Sequence, residues 1–256
     1  MTVREKMEDF LILLAEKIDD NKYLQAIKNT FTIYMPFIIV GSFGTLFSAL
    51  ISNPKTGLAQ WIPALGSLSG AFSAMNFATM TFMTIPIVFL IAMHLAKSNK
   101  TPEYLTGIVA VVSYVAVIQQ VIEYTMDDKL TKIGAIPSTA LGPQGLFIGM
   151  LIAIIVSELF KVLVNIEAIK IKMPPSVPSG IATSFNTLIP ILIIILGMSI
   201  FGNIFRTVTG KYINEFIYAA VQTPLEIALK SPFGILSLVI AGQLFWFLGI
   251  HGGLVI

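Results

Sequence analysis

The residues best suited to chemistry lie near the end of the chain. Residues 243–253 read Gln-Leu-Phe-Trp-Phe-Leu-Gly-Ile-His-Gly-Gly and close the last long apolar run, which sets the imidazole of His251 among groups of lipid character. An ionisable side chain at membrane depth faces a protein or water-filled interior and marks a substrate or ion path. Gly249 on one side and Gly252 and Gly253 on the other free the backbone to leave helical geometry around the histidine. Trp246, five residues earlier, offers an apolar ring with one donor, suited to stacking on the face of a sugar. Spacing alone also permits a plainer reading, in which Trp246 and His251 are interfacial anchors at a helix end.

Other chemistry is scarce. The chain has no cysteine, which excludes disulfides, thiolate catalysis and cysteine metal sites within it. It carries no P-loop, Rossmann glycine pattern, HExxH or nucleophile elbow. The basic residues are too scattered for a nucleic-acid surface. A histidine with no assigned acid partner cannot run hydrolysis or phosphoryl transfer unaided. These residues favour a conduit or carrier over a self-contained enzyme, and they call for no metal or cofactor.

Composition dictates how such a site is held. Hydrophobic residues make up 55% of the 256 and charged ones 12%, with a mean hydropathy of +0.85. Soluble domains carry about 25% charged residues, so this chain cannot coat a water-exposed surface. Six charge-free runs appear, at 29–54, 56–96, 104–122, 133–157, 173–205 and 231–256. Each can supply the roughly 20 apolar residues that a membrane-crossing helix needs. In lipid the backbone must satisfy its own hydrogen bonds, and alternating barrel strands would be shorter and half polar. The expected fold is therefore all-α and polytopic, with about six transmembrane helices. Their approximate spans are 31–51, 72–96, 105–122, 145–164, 181–205 and 233–250.

Two amphipathic segments flank these spans. Within residues 1–30, Met7, Phe10, Leu11, Leu14 and Ile18 share one helical stripe, as in a helix lying in the headgroup plane or packed on a cytoplasmic partner. Residues 206–230 gather Ile213, Phe216, Ile217, Ala220 and Val221 on one face, interrupted or capped near Pro224. No signal peptide is evident at the charged N-terminus. In the second span Asn76, Thr79, Thr81 and Thr84 precede Pro86, which predicts a kinked helix whose polar face lines protein. His94, near its end, reads as an interfacial histidine. Gly145, Gly149, Ala153 and Ser157 repeat every four residues, a small-residue ladder that admits another helix backbone. Glu158 has Lys161 three residues on, a spacing that permits a pair. With alternating sides, ten basic residues fall with the N-terminus and six opposite, which favours a cytoplasmic N-terminus.

The histidine stretch then becomes specific. Leu244-Phe-Trp-Phe-Leu-Gly-Ile-His-Gly-Gly resembles the histidine motif of the membrane components (enzyme IIC) of the sugar phosphotransferase system, in the lactose/cellobiose/diacetylchitobiose branch. Further matching stretches are Asn21-Lys-Tyr-Leu-Gln-Ala-Ile-Lys, Tyr34-Met-Pro-Phe-Ile-Ile-Val-Gly-Ser, Phe82-Met-Thr-Ile-Pro-Ile and Pro174-Pro-Ser-Val-Pro-Ser-Gly-Ile-Ala. The resemblance implies a multi-pass cell-membrane permease, a homodimer, that imports a β-linked disaccharide coupled to phosphorylation of its 6-hydroxyl. It implies that His251 hydrogen-bonds the sugar near the accepting hydroxyl, with Trp246, Gly252 and Gly253 beside it. It also implies a cytoplasmic partner, enzyme IIB, that carries the phosphoryl group on a cysteine.

The family's catalytic glutamate lies in a later motif, and no acid here matches it, so no catalytic residue is carried over. The chain stops five residues after His251, whereas family members continue through further spans. The expected organisation is thus an N-terminal segment (1–30), a five-span oligomerisation domain (31–205) with Gly145, Gly149, Ala153 and Ser157 at the subunit contact, and the first wall of the sugar-binding domain (206–256). A proton-coupled carrier using His251 and Glu158, and a non-transporting scaffold, are the alternatives from other classes.

Overall fold

The computed structural model describes residues 20–126, 129–171, 173–174 and 176–247. Helix α1 (Lys22–Phe47) starts at an Asn21 cap, whose Oδ1 accepts from the backbone N–H groups of Tyr23 and Leu24. It therefore runs unbroken across residue 30, and the first apolar helix begins at Lys22. The rest of the expected N-terminal helix, residues 1–19, lies outside the described residues. A π turn (Ser48–Ser52) extends α1 into two short 3₁₀ pieces, Leu58–Gln60 and Pro63–Leu68. The chain then turns back through α2 (Ser69–Asn76), a second π turn (Phe77–Thr81) and α3 (Thr84–Asn99).

The polar stripe predicted around Pro86 marks the break between α2 and α3. Asn76 Nδ2 donates to Gly41 O and Thr45 Oγ1, the Tyr34 hydroxyl donates to Thr79 O at 2.8 Å, and Thr84 Oγ1 donates to Gly142 O at 2.7 Å. Hydroxyl and amide side chains thus supply the bonds that an interrupted helix needs away from water.

Helix α3 is the hub. Its Ile87, Val88, Ile91, Ala92, Leu95 and Ala96 are fully buried, because it packs against α1, α4 (Glu103–Val117) and α6 (Pro143–Val164). It ends at Lys100 in the left-handed conformation (φ 57°), with the cap N–H returning to Ala96 O and Lys97 O. Helix α4 has 15 residues and spans about 22 Å at 1.5 Å per residue, short of the hydrocarbon thickness. The third expected span thus ends at Val117. A hairpin follows, β1 (Val121–Met126) antiparallel to β2 (Lys129–Gly134), with Glu123 opposite Lys132. The Lys132 ammonium, 2.7 Å from the Glu123 carboxylate, holds that carboxyl below the usual carboxylate range.

A short helix α5 (Ser138–Leu141) leads into α6, which opens with Pro143 in its first turn. Helix α7 (Ser179–Thr209) runs 31 residues and ends on Gly210 at φ 70°. Only Thr187, Pro190, Ile194 and Met198 of it are buried, a single stripe facing α4 and α6. Helix α8 (Ile213–Leu229) continues through Pro224, where an interruption was expected. It docks on the start of α6, Gln144 Nε2 donating to the Tyr218 hydroxyl at 3.0 Å. Helix α9 (Pro232–Phe247) follows, with Ser231 Oγ accepting from the Gly234 N–H. Among the described residues, four helical stretches are long and apolar enough to cross a membrane: Lys22–Ser52, Pro63–Asn99, Pro143–Val164 and Ser179–Thr209. Phe37, Phe43, Leu192, Leu196 and Ile200 stay exposed on them, as lipid-facing side chains do.

The small-residue ladder of α6 is used inside the chain. Ala153 and Ser157 are fully buried. A Cβ on Gly149 would lie 2.7 Å from Val88 Cγ2 and 2.8 Å from Thr84 Cγ2; one on Gly145 would collide with Ala140 O and the Tyr114 hydroxyl. Both glycines therefore serve the close approach of α6 to α3, α4 and α5. Gly145, Gly149, Ala153 and Ser157 were expected at a subunit contact; within this chain they are buried against its own helices. Gly149→Ala should destabilise the protomer by about 1–3 kcal/mol through overpacking, read as a lowered melting temperature in detergent. A change of oligomeric state at an unchanged melting temperature would contradict this packing.

Candidate functional site

Helix α9 is the element that leads into the histidine stretch. It begins at Pro232, whose fixed φ suits the first helical turn and whose missing N–H costs nothing there. Trp246 falls in its last turn. His251, Gly252 and Gly253 lie outside the described residues. The elements before α9 are anchored to the bundle. Phe216 of α8 meets Phe205 of α7 edge-on at 5.5 Å, and the Arg206 guanidinium sits 4.5 Å from the centre of the Tyr212 ring.

The strongest polar cluster in the described residues joins the first, third and sixth α-helices. Lys22 Nζ donates to Glu158 Oε1 at 2.7 Å and to Asn99 Oδ1 at 3.1 Å, and Asn99 Nδ2 donates to the same Glu158 oxygen at 3.0 Å. Each side chain bonds both others, so the ring closes across three helix ends. Glu158 thus takes Lys22, 136 residues away, as its partner in place of Lys161. About two-thirds buried (side-chain exposure 30%), it is committed to an ion pair, which weakens its case as a proton carrier. Its presence in an apolar run was visible in the sequence, but the identity of its partner was not. His94, expected at an interface, is half-buried in α3, and its Nε2 is enclosed without a partner among the described residues.

These features define a class: a bundle of long apolar helices, tied at their ends by polar side chains and exposing hydrophobic surface around its girth, is an integral membrane protein. Comparison with known proteins makes this specific. The family model described as "Phosphotransferase system, EIIC" matches residues 28–256. The chain is 33% identical to the PTS system oligo-beta-mannoside-specific EIIC component of Bacillus subtilis (strain 168), over 98% of this chain and 56% of that protein. It is 26% identical to the PTS system cellobiose-specific EIIC component of Geobacillus stearothermophilus, again over 98% and 56%. Among solved structures it is similar to the transporter ChbC, the IIC component from the N,N'-diacetylchitobiose-specific phosphotransferase system. That match has a TM-score of 0.79 at 30% identity and covers 97% of this chain and 58% of the other. The chain belongs to the EIIC family of the phosphotransferase system. It spans just over half the length of these relatives.

The ion pair is open to test. Glu158→Gln should cost about 1 kcal/mol, a charge-assisted bond discounted for its partial exposure, whereas Lys161→Gln should stay within about 0.5 kcal/mol. Thermal unfolding in detergent measures both, and equal losses would return the pairing to Lys161.

Proposed function

We propose that this chain forms the scaffold half and the first wall of the sugar site in a phosphotransferase-system permease that imports a β-linked disaccharide. The observation that carries the reading is the match of residues 28–256 to the EIIC family, which runs through the histidine stretch. The sugars named for the similar proteins, oligo-β-mannosides, cellobiose and diacetylchitobiose, are β-linked, which supports that substrate class.

In this reading His251 hydrogen-bonds the sugar near its 6-hydroxyl, and Trp246 stacks on the ring face, where an apolar surface with one donor suits a sugar's C–H side. Gly252 and Gly253 bring the backbone close to the ligand. A cytoplasmic IIB partner supplies the phosphoryl group from a phosphocysteine; the S–P bond breaks and leaves a thiolate on IIB, an O–P bond forms at the sugar's 6-oxygen, and that hydroxyl's proton passes through solvent to the thiolate. Residues 31–205 serve as the scaffold of a homodimer and 206–256 open the sugar-binding domain. With six spans and the N-terminus in the cytoplasm, the end of the sixth span faces the cytoplasmic donor.

The test supplies the rest of the site. Membranes holding this chain together with the C-terminal portion of the B. subtilis relative should bind radiolabelled cellobiose, and His251→Ala should weaken binding at least tenfold. Uptake driven by a pH gradient without IIB would overturn the reading, as would failure to bind any β-linked disaccharide.

A further inference from the structure

Two π turns among the described residues line a single cavity. Residues 48–52 and 77–81 both contribute to its lining, and it holds about 690 Å³, within the size range of small-molecule sites. Irregular backbone at membrane depth is tolerated where it is buried in protein or lines a water-filled cavity, and π turns concentrate at functional sites. The cavity sits where α1 ends and α2 begins, at the opposite end of the bundle from the Lys22–Asn99–Glu158 ring.

Its polar groups are unusually uncommitted. Many helical hydroxyls elsewhere among the described residues donate one turn back to their own backbone, as Ser42, Ser157, Thr187 and Ser199 do, although the buried Thr30 and Ser113 hydroxyls have no partner there. The hydroxyls of Ser48, Ser69, Ser73 and Thr81 line the cavity with no hydrogen-bond partner among the described residues. Asn76 spends its Nδ2 on Gly41 O and Thr45 Oγ1, which fixes the amide and leaves Oδ1 as a spare acceptor at the wall. Phe72 and Phe77 add aromatic surface. Lys55 is the one charged residue of the lining.

We infer that this cavity is a second binding site for a neutral, polyhydroxylated ligand, a sugar held by the free serine hydroxyls, Asn76 and Phe77. A phosphodiester group offers only acceptors and is best met by clustered cations. This wall instead mixes donors with acceptors and has a single lysine, which matches a sugar's hydroxyls. The inference rests on the proposed permease function for the class of sugar. With the N-terminus cytoplasmic, the cavity opens on the outer side, where arriving disaccharide is met before it reaches the histidine stretch.

Equilibrium binding of radiolabelled cellobiose to the purified 256-residue chain in phosphatidylcholine nanodiscs tests the site without IIB or phosphotransfer. Saturable binding is expected, weakened about tenfold or more by the double variant Ser48→Ala/Ser73→Ala, which removes two hydroxyl contacts. Unchanged melting temperatures confirm that each variant is folded. Absence of saturable binding overturns the inference. Binding that survives the serine variant but is lost in His251→Ala also overturns it, while favouring the histidine site. A phospholipid retained through purification and released by Lys55→Gln, seen by native mass spectrometry, assigns the cavity to lipid and overturns it as well.

Discussion

The approach of α6 to α3 at Gly149 is the contact on which the bundle's geometry rests. Lipid tails are as apolar as leucine, so no hydrophobic gain drives helices together inside a bilayer, and close van der Waals packing has to do so. Val88 and Thr84 reach the α6 backbone only because position 149 has no side chain. The same approach brings Gly142 O to the Thr84 hydroxyl and Ala140 O to the Tyr114 hydroxyl, so that dispersion and hydrogen bonding fix one register. Helix α3 is surrounded as a result, while α7 is held by one narrow stripe.

Polar side chains in this chain close gaps that the apolar packing leaves. Asn21 caps α1, Thr84 bonds the turn before α6, and Lys22, Asn99 and Glu158 join three helix ends. Where a polar group is unpaired away from water, the cost runs to a few kcal/mol. Four hydroxyls unpartnered among the described residues, those of Ser48, Ser69, Ser73 and Thr81, line the cavity at the opposite end of the bundle. Membership of the EIIC family gives this frame its context: the described helices precede the histidine stretch in the chain.

The class of the fold was legible in the charge-free runs, because a spanning helix must be apolar over a length fixed by the bilayer. The second span's break was legible as well, since Asn76, Thr79, Thr81 and Thr84 ahead of Pro86 need protein partners wherever they are buried. Less legible were the elements whose form depends on neighbours. The run at 105–122 is apolar throughout, yet the helix stops at Val117 and the chain turns into a hairpin whose register is set by cross-strand pairing. Pro224 interrupts the sequence pattern but not α8, which is held from outside by α6 and α7.

By itself, the sequence determined that this chain lives in a membrane, where four of its six expected spans fall, and that its histidine stretch resembles the EIIC motif; each follows from local composition and residue order. Only the tertiary structure decided what the small residues and charges are for. A ladder of glycine and alanine states that some backbone comes close, and the three-dimensional packing makes that backbone the chain's own α3 and α4. A lone glutamate states that some cation is near, and the fold brings Lys22 from 136 residues away rather than Lys161 from the next turn. The physical reason is the same in both cases: sequence encodes the capacity of a surface to be approached, and the partner is chosen by the path of the whole chain.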